Sequence, residues 1–188
     1  MEIKDSGNRR EFETGAVRDI AEGKGRCDLL PLDCVAEYFR MLSNPVRGKD
    51  SVCAEACAII FETLDDVTFG RDNEPSIVDK LLRAVRTFIR ITYDSKDGNA
   101  FMELSKHYEE GAKKCAERNW QKGISCHCYI DSCVRHLLKW YDGWDDEPHD
   151  RAVLWNLFGL WWTLKNMPEM NDLPWKKDGE NNDRDSQS

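Results

Sequence analysis

Apolar residues recur along this chain at three- and four-residue spacing, which predicts helices almost throughout. Leu32, Val35, Ala36, Phe39 and Leu42 make the first stripe, with Asp28 ahead of it in a capping position and Pro31 suited to its first turn. Ser43-Asn44-Pro45 ends that helix. Val52, Ala56, Ile59, Ile60 and Thr63 mark one side of a second helix running from Val52 to Leu64. Ser76 is placed to cap a third, with Ile77, Leu81, Val85, Phe88 and Ile89 inward, and turn residues from Asp94 to Asn99 stop it. A fourth covers Ala100 to Arg118 and turns Phe101, Leu104, Tyr108, Ala112 and Cys115 inward. The fifth covers about Tyr129 to Tyr141 and stops near Asp142-Gly143, and the last runs from His149 to about Asn166. No segment alternates with period two for more than a few residues, so no strand is expected.

This pattern predicts an all-α bundle of five or six helices without internal repeats. Residues 1–13 are charged and read as a flexible N-terminus, and 14–170 as one all-α domain. The block at about 44–100 reads as a helical insertion in that domain. From 171 to 188 the polar, proline-containing run reads as a disordered tail.

Composition narrows the partners. The 188 residues are 40% hydrophobic and 33% charged, enough for one domain with a real core. The formal charge of -8 is the wrong sign for a protein that grips a nucleic acid through clustered Lys and Arg. No nucleic acid partner is expected, whereas a small anion held through a metal remains open. The polar start of the chain lacks an apolar leader, and no apolar run approaches the roughly 20 residues of a membrane span. A cytoplasmic protein without membrane contact is expected, its eight cysteines reduced.

Three polar clusters on the later helices carry the candidate chemistry. Glu109 and Glu110 each precede a lysine by four residues (Lys113, Lys114), followed by Arg118-Asn119-Trp120. Surface ion pairs account for that spacing, and so does a carboxylate on a hard cation with Lys114 on a phosphate. Asp131 and Arg135 repeat the spacing, with His136 beside them and an arginine suited to bidentate phosphate recognition. Asp145, Asp146 and Glu147 crowd charge before the last helix; part of this is favourable helix-end placement, and a divalent ion would relieve the remaining repulsion. His149 and Asn156 lie two turns apart on one face, with small Ala152 leaving a groove between them. Gly23-Lys24-Gly25-Arg26 makes a donor-rich loop able to close over an anion, but not a Walker loop.

Bland readings stand beside these. Glu62 and Asp65 read as a solvated acidic edge. The cysteine-histidine group of Cys126, His127, Cys128, Cys133 and His136 lacks a true Cys-x-x-Cys pair for zinc, and no thiol shows a Cys/His/Asn arrangement. Trp155, Trp161 and Trp162 read as core or as a subunit interface, while Trp120 is placed to stack on a purine.

The blocks Thr14-Gly15-Ala16-Val17-Arg18-Asp19 and Gly23 to Pro31, then Gly111-Ala112-Lys113-Lys114, Arg118-Asn119-Trp120, Asp131-Ser132 with Arg135-His136-Leu137, and His149 through Asn156, resemble a phage-associated family called dATP/dGTP diphosphohydrolase. The likeness covers about 9–42 and 104–165. It departs at Cys115, where the pattern prefers tyrosine, at the 44–100 block, and in lacking a helical Glu-x-x-Glu beside Glu110. Glu147 to Asp150 does supply Glu-x-x-Asp. The resemblance implies hydrolysis of a purine dNTP to dNMP and pyrophosphate in a helical, magnesium-dependent cleft related to all-α NTP pyrophosphohydrolases.

Together these readings place metal on some of Glu110, Asp131, Asp145, Asp146 and Glu147, with Mg2+ expected and Mn2+ possible. Glu110, Asp131 and Asp146 are the catalytic candidates. Lys24, Arg26, Lys114, Asn119, Trp120, Arg135, His136, His149 and Asn156 are the substrate-binding ones. A homo-oligomer is expected. The rival reading is a non-enzymatic helical phage accessory or adaptor protein that docks through its Trp-rich last helix.

Overall fold

The computed structural model describes residues 7–19, 27–42, 50–71 and 74–174. Among them the chain forms six α-helices: α1 (Leu32–Leu42), α2 (Asp50–Phe69), α3 (Glu74–Thr92), α4 (Asp97–Cys115), α5 (Cys126–Tyr141) and α6 (His149–Asn166). The helical bundle is as the periodicity predicts. No helix among the described residues is long and apolar enough to cross a membrane.

The helix α2 lies at the centre. Ala54, Ala56, Cys57, Ala58, Ile60, Phe61, Leu64 and Val67 are all buried, which is more than one face of a helix. Small Ala residues admit close neighbours, and α1, α3 and α5 pack around it. The helices α2 and α3 of the 44–100 block are therefore part of the core. Val52, assigned to the inner stripe, is 46% exposed, because burial here does not follow a single stripe. The α3 helix starts two residues before Ser76, so Ser76 is inside it and not its cap.

In α4 the inward residues are Ala100, Leu104 and His107, while Phe101 is half exposed. The fifth helix ends as Gly143 predicts. Gly143 has φ +72, its N–H bonds the Trp140 carbonyl (3.1 Å), and the Trp144 N–H bonds that of Lys139 (2.9 Å). That pair of bonds satisfies two orphan carbonyls and turns the chain into the loop before α6. The result is an antiparallel α5–α6 hairpin.

One expectation fails, and the start of another shifts. Strands β1 (Arg9–Glu11) and β2 (Val17–Asp19) pair antiparallel, with Arg10 opposite Arg18. Three-residue strands are too short to show a period, and their support comes from elsewhere. Thr14 Oγ1 donates to the Gly123 carbonyl (2.8 Å), and Asn119 accepts from Val17 N (2.8 Å) while donating to its carbonyl (2.6 Å). This hairpin is a strap across the bundle, held by the Asn119 side chain and the Gly123 carbonyl, each over a hundred residues away. At the other end, residues 171–174, the start of the run that reads as a tail, pack on the bundle, and 175–188 lie outside the described residues. Leu173 and Asn171 are buried, and Asp172 accepts a hydrogen bond from the His127 backbone (3.1 Å).

Candidate active site

Where α4 ends, Ala116 (φ +83) and Arg118 (φ +54) enter the left-handed region, a conformation costing about 1–3 kcal/mol for residues with a Cβ. The turn they make swings Asn119 and Trp120 back toward the hairpin. Between hairpin, turn and α4 lies a cavity of about 430 Å³. Its wall includes Arg9, Arg18, His107, Lys114, Arg118 and Trp155. Cations and aromatic faces thus line one space, together with the carboxylates of Asp19, Glu109 and Glu117.

The central residue of that wall is Arg18. Its guanidinium lies 5.4 Å from the ring centroids of both Tyr129 and Trp155, and Nη2 donates to Asn156 Oδ1 (2.9 Å). Its Nη1 is buried and has no hydrogen-bond partner. Burial, aided by the nearby charge of Arg135, pulls its pKa below the ordinary value. A buried guanidinium with an unmet donor is costly unless a ligand completes it. The His107 Nδ1 is likewise buried without a partner, and burial with the nearby charge of Arg151 lowers its pKa to about 3. His107 is thus neutral at physiological pH, an adaptable donor or acceptor.

A second cluster lies at the α5–α6 hairpin. His136 Nδ1 and His149 Nδ1 are 3.0 Å apart, and Glu147 Oε1 is 3.6 Å from the first and 3.8 Å from the second. Among the described residues this is the group whose ligand atoms converge closely enough to hold a metal. Behind it, Asp146 Oδ1 accepts from His149 Nε2 (2.7 Å), and Lys139 donates to Asp146 Oδ2 (3.1 Å). Burial holds the His136 pKa well below its ordinary value, and the charges of His149, Arg135, His107 and Arg18 act in the same direction. Through His107 and Arg18 the cavity wall and the histidine cluster are electrostatic neighbours.

The predicted site residues divide accordingly. Lys114, Asn119 and Trp120 line the cavity. Asn119 already binds Val17 through both ends of its amide, and Trp120 stacks edge-on against Trp162 (4.8 Å). Asn156 and His149 are buried, and Asn156 Nδ2 donates to the Ala152 carbonyl (2.7 Å). The groove expected over Ala152 is closed: Ala152 is 3% exposed, and Arg18 reaches Asn156 there. His136, Glu147 and Asp146 come together as above, but exposed Asp145 does not join them.

Asp131 is a buried structural acceptor. Its Oδ1 takes the Cys27 N–H (2.6 Å) and its Oδ2 pairs with Arg135. Glu110 pairs with Arg151 (3.3 Å), which also holds Glu103 (2.9 Å). Glu109 and Lys113 make the surface pair expected of their spacing. Lys24 and Arg26 lie outside the described residues.

Several features escaped the sequence. Arg18, Arg9 and His107 line the cavity although none stood out by spacing, and Tyr108, whose spacing reads as core, lines it too. Asp65 is buried against Arg71 (2.7 Å), not on a solvated edge. Cys128 Sγ lies 3.2 Å from His127 Nε2, and the opposite ring nitrogen bonds Asp172, so a thiol–imidazole–carboxylate chain exists where none was expected. Its third member is the carboxylate of a segment read as tail. Trp161 and Trp162 line a second, aromatic groove of about 370 Å³ with Phe101 and Phe158.

Comparison with known proteins adds one finding. No curated protein and no solved structure gives a match. Residues 89–173 match the family model described as dATP/dGTP diphosphohydrolase, N-terminal, a span holding the histidine cluster and the α4 and α6 walls of the cavity. The hairpin bearing Arg18, together with α1 and α2, precedes it. Over residues 89–173 the chain is therefore similar to the dATP/dGTP diphosphohydrolase N-terminal family.

Proposed function

We propose that this protein hydrolyses a purine deoxynucleoside triphosphate to the monophosphate and pyrophosphate, with a divalent ion required. Water oxygen bonds to the α-phosphorus, the bridging α–β bond breaks, pyrophosphate leaves, and the water proton passes to solvent. The family match supports the reaction class. The observation that carries the reading is Arg18 Nη1, a buried and unpartnered cationic donor in the wall of a cavity large enough for a small ligand.

In this reading Arg18 takes a phosphate oxygen, aided by Lys114 and Arg118 at the rim. The faces of Trp155 and Tyr108 flank the base, and neutral His107 meets a polar purine edge. Asn156 keeps Arg18 in place. A bound ion at His136, Glu147 and His149 would polarise a phosphoryl oxygen and lower the pKa of a bound water. Magnesium and manganese are the ions the sequence raises, and magnesium also accompanies triphosphates as part of the substrate.

The test is pyrophosphate release from each of the four dNTPs, with and without divalent ion. Turnover of dATP or dGTP that stops in chelator supports the reading; no turnover of any dNTP under any ion removes it. The aromatic groove at Trp161 and Trp162 favours a second reading, a docking surface for another protein or another copy. A chain monomeric in solution that turns over dNTP leaves that groove without a role in the activity.

A further inference from the structure

We infer that the resident ion of this protein is a first-row transition dication of the zinc class, held by His136 Nδ1, Glu147 Oε1 and His149 Nδ1, and not magnesium. The inference rests on the proposed hydrolase only for what the ion does; the site itself stands on geometry. The three donor atoms are separated by 3.0, 3.6 and 3.8 Å. A point equidistant from atoms so spaced lies about 2.0 Å from each, which is the bond length zinc makes to imidazole nitrogen and carboxylate oxygen. Three protein ligands leave a coordination position open for water or a phosphate oxygen, the arrangement of catalytic sites.

Donor chemistry decides between ions. Magnesium demands oxygen ligands in near-octahedral geometry and retains its waters, whereas two imidazoles and one carboxylate suit zinc, iron or cobalt. The surroundings add a second argument. Asp146 accepts the Nε2 hydrogen of His149, which leaves the lone pair on Nδ1 and directs it at His136 and Glu147. Lys139 in turn holds the far oxygen of Asp146. A carboxylate behind a histidine that fixes its tautomer and orientation is the usual support of a metal-binding imidazole.

Cobalt(II) reports such a site directly, because its visible absorption distinguishes nitrogen–oxygen tetrahedral from octahedral coordination. Metal-free full-length protein titrated with cobalt should bind one ion per chain with a tetrahedral spectrum. Zinc should displace it stoichiometrically, and a large excess of magnesium should not. Glu147→Gln and His136→Asn, both at partly exposed positions and with folding checked by circular dichroism, should lose the spectrum. Asp146→Asn should keep it with affinity weakened about 10- to 100-fold. A spectrum unchanged in both ligand variants, a sulfur-to-cobalt charge-transfer band, displacement by magnesium, or no binding would each overturn the site. Cobalt binding without pyrophosphate release from any dNTP would leave the site standing and remove the hydrolase. Magnesium-driven turnover undiminished in Glu147→Gln would do the reverse.

Discussion

The guanidinium of Arg18 donates to the side-chain oxygen of Asn156 at 2.9 Å, joining the N-terminal hairpin to the middle of α6. Asparagine is a mediocre helix former, and here its oxygen holds the buried cation while its nitrogen bonds the Ala152 carbonyl one turn back. Asn156→Ala removes an acceptor from a charged donor, an interaction worth about 1.5–3 kcal/mol. Thermal or urea unfolding should show a loss of that size. A loss below about 0.5 kcal/mol would mean that Arg18 finds another acceptor.

A second prediction concerns Gly159 in α6. A Cβ built there would lie 2.3 Å from Tyr129 Cε1, and Tyr129 is fully buried and faces Arg18. Glycine inside a helix ordinarily costs about 1 kcal/mol relative to alanine, so its presence marks a close approach. Gly159→Ala should destabilise the protein by about 1–3 kcal/mol despite the better helix propensity, because Tyr129 must move. Tyr129→Leu should relieve the clash, so the double variant should lose less than the two single changes combined.

The link between His127 and Asp172 makes a pH prediction. The hydrogen bond to Asp172, with a further one to Cys128, raises the His127 pKa to about 10. Burial pushes Asp172 upward, but the His127 ring and backbone N–H outweigh it, and its pKa ends below the ordinary 3.8. A raised histidine contributes stability that is full below its ordinary value of 6.5 and is lost as pH climbs through about 10. A lowered aspartate contributes stability that is full above 3.8 and is lost as pH falls through its folded value. The difference in Tm between wild type and Asp172→Asn should be greatest between about pH 4 and 6.5 and should shrink toward pH 10. A difference that grows on the alkaline side would contradict the ion pair.

How far the sequence could be read depends on whether a feature repeats locally. The helices were legible because burying one side of a helix writes a period into many residues, and Gly143 marks the end of α5 through its backbone conformation. In contrast the hairpin rests on Asn119 and Gly123, contacts that no local period records. The same division runs through the site. His136 and Glu147 were singled out, but as substrate ligand and one carboxylate among five. Their convergence with His149 needs the turn that folds α6 back on α5. Asp131 and Glu110 carry the right chemistry at helical spacing, and the tertiary structure gives them to Cys27, Arg135 and Arg151. Arg18 was unreadable as a site because one arginine in a three-residue strand has no pattern around it.

The last prediction separates charge from shape at that arginine. Lysine at position 18 keeps the positive charge but carries its three donors on one nitrogen, which cannot occupy both the place of Nη2 on Asn156 and the place of Nη1. If the buried Nη1 serves a phosphate oxygen, Arg18→Lys should raise KM for the triphosphate about 10- to 100-fold, the equivalent of one charged hydrogen bond. Folding should survive, since the aliphatic stem still packs between Tyr129 and Trp155. His107→Gln supplies the contrast, because that ring is neutral from a pKa of about 3 upward. Its loss should change preference among the four bases while leaving the dependence of KM on salt as in wild type, whereas Arg18→Lys should act equally on all four. Steady-state kinetics across the dNTPs at two ionic strengths read both effects. An Arg18→Lys enzyme with unchanged KM would mean that the triphosphate does not enter this cavity.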